Sequence, residues 1–274
     1  MADQDILQTI LEHKREEVAH RKTLIAEQEI VARCADLPRA LDFKAALRSP
    51  KIGQTALIAE VKKASPSAGI IREDFEPVSI AKIYEAHGAD CLSVLTDERF
   101  FQGRDEYLSS VQCAVNIPIL RKDFIVDPYQ IFEARVLGAD AVLLIVSALT
   151  PSEVALFGNI AQTLGLAALV EVHTEAEMAT ALSVGADLIG INSRNLSTFV
   201  TDLDTVDRLA RMVTTNVTLV AESGIKTAAD VARVRQGGAH AILVGETLMR
   251  SPDIGAAVDA LLAPETPTRS VGTN

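Results

Sequence analysis

The chain has 274 residues, 48% of them hydrophobic but only 4% aromatic and none of them Trp, so its core is built from Ala, Val, Leu and Ile, as suits buried parallel strands covered by helices. A net charge of −11 excludes a general nucleic-acid surface, which needs a basic face, yet leaves room for a small anionic ligand at a locally positive site. The three cysteines (Cys34, Cys91, Cys113) show no CxxC spacing, no apolar run reaches the ~18 residues of a membrane span, and residues 1–5 are acidic where a signal peptide is basic, so a cytoplasmic protein is expected.

Residues 5–30 read as one helix. Ile6, Leu7, Ile10 and Leu11 recur at helical spacing, Lys14-Arg15-Glu16-Glu17 reads as a mixed-charge face, and Asp5 as the N-cap. A second short helix fits 42–48. Residues 1–50 are therefore expected to be a helical extension packed on a main domain at 51–263, with a loose polar tail at 264–274.

From residue 56 a rhythm begins. Strand-like apolar runs fall at 56–61, 91–95, 117–120, 140–146, 167–172, 187–191, 217–221 and 240–244. Helical patterns fall at 77–86, 105–114, 128–137, 151–164, 175–184, 203–213, 227–236 and 252–262. Thr150-Pro151-Ser152-Glu153 and Thr227-Ala228-Ala229-Asp230 have the form of helix starts. Four helices end in near-identical phrases: Gly88-Ala89-Asp90, Gly138-Ala139-Asp140, Gly185-Ala186-Asp187 and Gly238-Ala239-His240. Each is a glycine helix stop leading into a strand, so one βα unit is repeated around the chain. An open doubly wound sheet would carry GxGxxG or GxxxxGK[ST] after its first strand, and neither occurs. Eight near-regular units instead predict the α/β class: a single (β/α)8 TIM barrel with an N-terminal helical extension.

In such a barrel the chemistry sits at the C-terminal strand ends. Here those ends carry Glu60 and Lys62; Thr96-Asp97-Glu98 followed by Phe100-Phe101; Arg121-Lys122-Asp123-Phe124; Ser147; Glu171 and His173; Asn192-Ser193-Arg194-Asn195; Glu222-Ser223-Gly224; and Gly245-Glu246. The opposite ends are plain: Ile117, Ala167, Val217. Solvation alone would decorate both ends, so the asymmetry points to one site at the mouth. The two-residue period of a strand turns Glu60 and Lys62 one way and Val61 and Lys63 the other. Three cations (Lys62, Lys122, Arg194) and three carboxylates (Glu60, Glu171, Glu222) thus converge, and mixed charges in a closed site supply acid and base at neutral pH. A lysine beside another cation is expected to be the better acid. Gly224 and Gly245, with a short helix at 246–250, occupy the usual phosphate position of barrels. His173-Thr174-Glu175 lacks the PCxxC of a zinc deaminase and no cluster has metal-ligand spacing, so no metal is expected. His13, His20 and His87 read as surface residues and His240 as structural.

These residues resemble the indole-3-glycerol-phosphate synthase family over about residues 5–262. The strings are Ala59-Glu60-Val61-Lys62-Lys63-Ala64-Ser65-Pro66-Ser67, Leu95-Thr96-Asp97 with Phe100-Phe101-Gln102-Gly103, Leu120-Arg121-Lys122-Asp123-Phe124, Leu169-Val170-Glu171-Val172-His173, Ile191-Asn192-Ser193-Arg194-Asn195-Leu196 and Ala221-Glu222-Ser223-Gly224-Ile225. The resemblance implies a carboxy-lyase of tryptophan biosynthesis. It would close the ring of 1-(2-carboxyphenylamino)-1-deoxyribulose 5-phosphate with loss of CO₂ and water to give indole-3-glycerol phosphate. It implies Lys122 as general acid, Lys62 as the holder of the anthranilate carboxylate and a second proton donor, Glu171 as general base and Glu60 as the carboxylate that fixes the lysines. Asn192, Arg194, Glu222 and Ser223 would hold substrate hydroxyls and orient the ring system. Gly224, Gly245 and Glu246 would offer backbone N–H groups to the phosphate, Phe101 and Phe124 an apolar bed for the aromatic ring, and Ser65 the start of a loop, 63–72, over the substrate. No cofactor is implied. The expected partner is a phosphorylated small molecule, with no nucleic acid or membrane, and the protein a monomer or weak homo-oligomer. Ser193 stands where the family usually has Asn, and Thr247 where it has Ser. Two other readings are a different phosphate-binding barrel enzyme, such as phosphoribosylanthranilate isomerase with its Cys and Asp, and a catalytically inactive phosphosugar-binding barrel.

Overall fold

Residues 6–194, 200–213 and 216–264 are described by the structure, a computed structural model; Asp5, Asn195 and the tail from residue 265 lie outside them. In chain order the strands are β1 (Ala56–Val61), the two-residue β2 (Ala64–Ser65) and β3 (Gly69–Ile70), then β4 (Cys91–Leu95), β5 (Ile119–Lys122), β6 (Ala141–Ile145), β7 (Ala167–Val172), β8 (Leu188–Asn192), β9 (Thr218–Glu222) and β10 (Ala241–Val244). β2 and β3 form an antiparallel hairpin. The other eight pair in parallel in the order of the chain, and β10 closes on β1 with Ala56 opposite Ala241, so the sheet is the expected eight-stranded (β/α)8 barrel. β5 starts two residues later than predicted, because Pro118 gives its carbonyl to Leu92 but has no N–H for the ladder. That shift makes Lys122 a strand residue.

The extension comprises α1 (Ile6–Leu24), α2 (Glu27–Arg33) and α3 (Phe43–Arg48); the barrel carries α4 (Pro77–Ala86), the short α5 (Glu98–Phe101), α6 (Asp105–Gln112), α7 (Tyr129–Leu137), α8 (Pro151–Thr163), α9 (Glu175–Ser183), α10 (Asp204–Ala210), α11 (Ala228–Gln236), the short α12 (Glu246–Met249) and α13 (Ile254–Leu262). Thr150 with Glu153 and Thr227 with Asp230 form reciprocal capping boxes at the starts of α8 and α11.

The repeated Gly-Ala-Asp phrase does two jobs. Its glycines, at residues 88, 138, 185 and 238, all have positive φ, the left-handed turn that ends each helix. Two of its aspartates then clip the barrel's base. Asp90 accepts the N–H groups of Leu57 and Lys51, and Asp140 those of Ile119 and Leu41. Each clip ties one strand start to one residue that precedes the barrel. In the fourth copy His240 takes over, its Nδ1 accepting from Leu219 N at 3.1 Å. Asp187 pairs with Lys44 of α3 instead.

Strand parity builds the interior. Ala56, Ile58, Leu120, Leu143, Leu169, Val220 and Leu243 fill the lumen, and Phe43 and Leu47 of α3 pack into the same cluster and plug its base. The same parity, one step higher, carries Glu60, Lys122, Glu171 and Glu222 to the top of that column.

The predicted single helix at 5–30 is two. Its carbonyl at Ile25 is taken by the Tyr129 hydroxyl (3.2 Å), Ala26 is extended, and α2 turns to bury Ile30 with Val18 and Tyr129 against α7. Lys14, read as part of a solvent face, is fully buried: its ammonium lies 3.0 Å from both Asp97 and Asp123 and 2.9 Å from Glu17. The extension therefore runs from mouth to base, with α1 gripped beside the ends of β4 and β5 and α3 in the bottom of the barrel.

Candidate active site

Lys122 Nζ lies between two carboxylates, 2.9 Å from Glu222 Oε2 and 3.3 Å from Glu171 Oε2. The other Glu171 oxygen accepts from Asn192 Nδ2 at 3.1 Å and lies 3.3 Å from His173 Nε2. Buried Glu60 is 2.6 Å from Lys62 Nζ. Two glycines of lumen parity leave room for these acids: a Cβ on Gly190 would collide with Glu222 Oε1, and one on Gly245 with Glu60 Oε2. The sequence offered no reason to single out Gly190, since the atom that needs its space belongs to the next strand.

Sharing one ammonium makes the two carboxylates unequal. Burial works against the charge of Glu171, but Lys122, His173 and Asn192 outweigh it and hold its pKa well below the usual carboxylate range. For Glu222 burial dominates, Lys122 offsets part of it, the charge of Glu171 adds to it, and the pKa is pushed up to about 7. Its Oε1 is buried with no hydrogen-bond partner among the described residues. Burial alone would lower the pKa of Lys122, yet Glu222, Glu171 and Glu60 carry it well above the ordinary lysine value. This corrects the expectation of a lysine made acidic by a neighbouring cation: the groups against Lys122 are carboxylates, and they hold it as an ammonium. Glu60 likewise stays low, burial being outweighed by Lys62 and Lys122.

Above these groups opens a cleft of about 870 Å³, and every residue expected in the site lines it, including Ser65, Arg194, Ser223, Gly224, Gly245 and Glu246. The Phe101 and Phe124 rings stand 5.9 Å apart, and Ile6, Leu7 and Ile10 of α1 also line the cleft. The sequence displayed that apolar stripe but not what it faces. Ser223 and Gly224 both have left-handed backbone, and a Cβ on Gly224 would strike Thr201. Glu246 joins Arg194 (3.4 Å) and Arg250 (2.9 Å) across the glycine turns. The segment 63–72 is a hairpin anchored by Arg72, which donates to the carbonyls of Met249 and Ser251.

Not all the polar strand ends serve the mouth. Asp97 and Asp123 hold Lys14, and Arg121 is buried against Asp105, Glu133 and the Gln130 carbonyl. Cys91 is buried at the start of β4 and Cys113 is exposed at the end of α6. Among the described residues no group of His, Cys, Asp or Glu could hold a metal ion, and no helix is long and apolar enough to cross a membrane.

Carboxylates and cations gathered at the C-terminal ends of parallel strands stand where barrel enzymes carry their chemistry. The family model for indole-3-glycerol phosphate synthase matches residues 7–261. The chain belongs to that family, the decarboxylating lyases of tryptophan biosynthesis. It is 52% identical over 258 residues to an indole-3-glycerol phosphate synthase from Rhodopirellula baltica, covering 94% of this chain and 99% of that protein. It is 50% identical to one from Acidithiobacillus ferrooxidans, covering 94% and 98%. Among solved structures, a 3-hexulose-6-phosphate synthase matches with a TM-score of 0.62 at 16% identity, over 76% of this chain and 98% of that one. A thiamine phosphate pyrophosphorylase from Pyrococcus furiosus matches at 0.55 and 17%, over 76% and 93%. At such identities these likenesses speak for the barrel alone.

Proposed function

We propose that the mouth closes the ring of 1-(2-carboxyphenylamino)-1-deoxyribulose 5-phosphate and expels CO₂ and water, with the following division of labour. Phe101 and Phe124, walled by α1, receive the aromatic ring, and Lys62, steadied by Glu60, holds its carboxylate. The aromatic carbon that bears the carboxylate attacks the substrate ketone carbon while the Lys122 ammonium protonates the ketone oxygen. CO₂ departs and aromaticity returns. The new hydroxyl then leaves as water with a proton from Lys62, and Glu171 takes the proton released as the indole double bond forms. Glu222, poised near neutrality at about 7, is the group best matched to reload Lys122. Asn192, Arg194 and Ser223 hold substrate hydroxyls. Backbone N–H groups at Gly224, Gly245 and Glu246 meet the phosphate, and Ser65 opens the hairpin above it. Residues 1–50 act as an extension that serves the barrel, and the cytoplasm, where the phosphorylated substrate would be available, is the proposed compartment.

The observation that carries this reading is Lys122 held between Glu171 and Glu222. An assay of indole-3-glycerol phosphate formation tests it. Lys122→Met is expected to lose roughly a hundredfold or more in kcat, the size of a general-acid contribution. An inactive wild type would sink the enzyme reading in favour of a phosphosugar-binding barrel, and an unimpaired variant would remove the acid. The isomerase reading has less support, because neither Cys91 nor Cys113 lines the cleft.

A further inference from the structure

His173 follows Glu171 by two residues, just past the end of β7, and packs beside Glu171 without itself lining the cleft. Its ring stands between two carboxylates: Nδ1 is 3.1 Å from Glu177 Oε2 and Nε2 is 3.3 Å from Glu171 Oε1, with only 11% of the side chain exposed. Glu177, in the first turn of α9, is itself held. The same oxygen accepts the His173 backbone N–H at 2.8 Å, and Thr174 caps that turn. A neutral imidazole has one N–H and one lone pair. Nδ1 is hydrogen-bonded to Glu177, while Nε2 is buried without a hydrogen bond among the described residues and meets Glu171 as a close charge contact, so the imidazolium is the form that sets positive charge against both carboxylates. None of the roles proposed above uses this group.

We propose that His173, anchored by Glu177, is a positioning residue that acts as an imidazolium on Glu171 and makes it, not Glu222, the ionised member of the pair sharing Lys122. Two carboxylates around one ammonium compete for it. Glu171 has a second cation and Asn192 on its other oxygen, whereas the other oxygen of Glu222 is buried and unpartnered among the described residues. The second cation thus sorts the pair into a charged base and a proton reservoir. The charged groups facing His173 are Glu171 on its own strand and Glu177 on α9; beyond Glu171 stand Lys122 of β5 and the amide of Asn192 on β8. The protonation agrees. Burial pulls the His173 pKa down, but the two glutamates more than reverse this and raise it to about 10.

The inference rests on the base role proposed for Glu171, but the charge of His173 is readable without turnover. In ¹⁵N-imidazole NMR of the full chain, with His173→Gln to assign the signal, both ring nitrogens should be protonated at about pH 8. A neutral ring there would overturn the proposal whether or not the enzyme reading stands. Kinetics then read the effect. Glu177→Gln keeps an acceptor for the His173 N–H but removes the charge, so kcat should hold near pH 6 and fall about tenfold by pH 9, with KM within about threefold. His173→Gln should lower kcat at least about tenfold and let the depressed pKa of Glu171 rise toward the ordinary carboxylate range, so that kcat falls off at a higher pH on the acid side than in the wild type. A lower kcat with both pH limbs unmoved would mean a merely structural role and would overturn it.

Discussion

Lys122 and Asp123 are consecutive residues, yet they belong to two buried ionic clusters with different purposes. In the outer one, Asp123 and Asp97 flank Lys14, while Arg121 and Arg21 share Asp105 and Glu133. Charges there are pinned in the ordinary direction. Burial would raise the pKa of Asp123, but Lys14 and Arg121 pull it to about 2, and Lys14 is itself pushed up, Asp123, Asp97 and Glu17 outweighing its burial. In the inner one, Glu171 and Glu222 divide a single ammonium, and one of them is driven to about 7. The residue types are the same. What separates a clasp from a proton-transfer site is how many cations each carboxylate meets: among the described residues Asp123 has both Lys14 and Arg121, whereas Glu222 has Lys122 alone and shares it with Glu171, and strand parity assigns neighbours in sequence to opposite sides of that divide.

The largest effect is expected in the outer cluster. Lys14→Met leaves Asp97 and Asp123 buried without their cation, and a stability loss of about 3–5 kcal/mol is expected in urea denaturation. An unchanged midpoint would show that the outer cluster is not a clasp. On the inner side a lost cation should cost turnover instead. Lys62→Ala is expected to lower kcat/KM by about a hundredfold, with a smaller drop in the urea midpoint than Lys14→Met because Lys122 still offsets the charge of Glu60.

Glu222→Gln sharpens the contrast through pH. The native carboxyl holds its proton up to about 7, above the ~4.3 of an unfolded glutamate, so wild-type stability should fall as pH rises across that window. The variant lacks this slope, and its melting midpoint should exceed the wild type's by more at pH 8 than at pH 5. An equal gap at both would place Glu222 with the ordinary carboxylates. The smallest effect is expected one residue from Lys62. Lys63 is absent from the cleft lining, and Lys63→Ala should stay within about twofold of wild type in turnover.

Features that depend on local geometry could be read directly from the residues. The two-residue and helical periods announced eight strands and the helices between them. The capping boxes at Thr150 and Thr227 were legible as written, as were the glycine helix stops and the parity that puts Glu60 and Lys62 together and Lys63 apart. The polar mouth was legible because parallel strands in a barrel all point their ends the same way. The folded barrel was needed to see who shares Lys122, why Lys14 is buried, where the first helix breaks, that α1 walls the cleft, and that Gly190 makes space for Glu222. Periodicity is set by backbone sterics within a few residues. The state of a charge is set by distance and burial, and those exist only once the ring of strands has closed and brought β5, β7 and β9 around one ammonium.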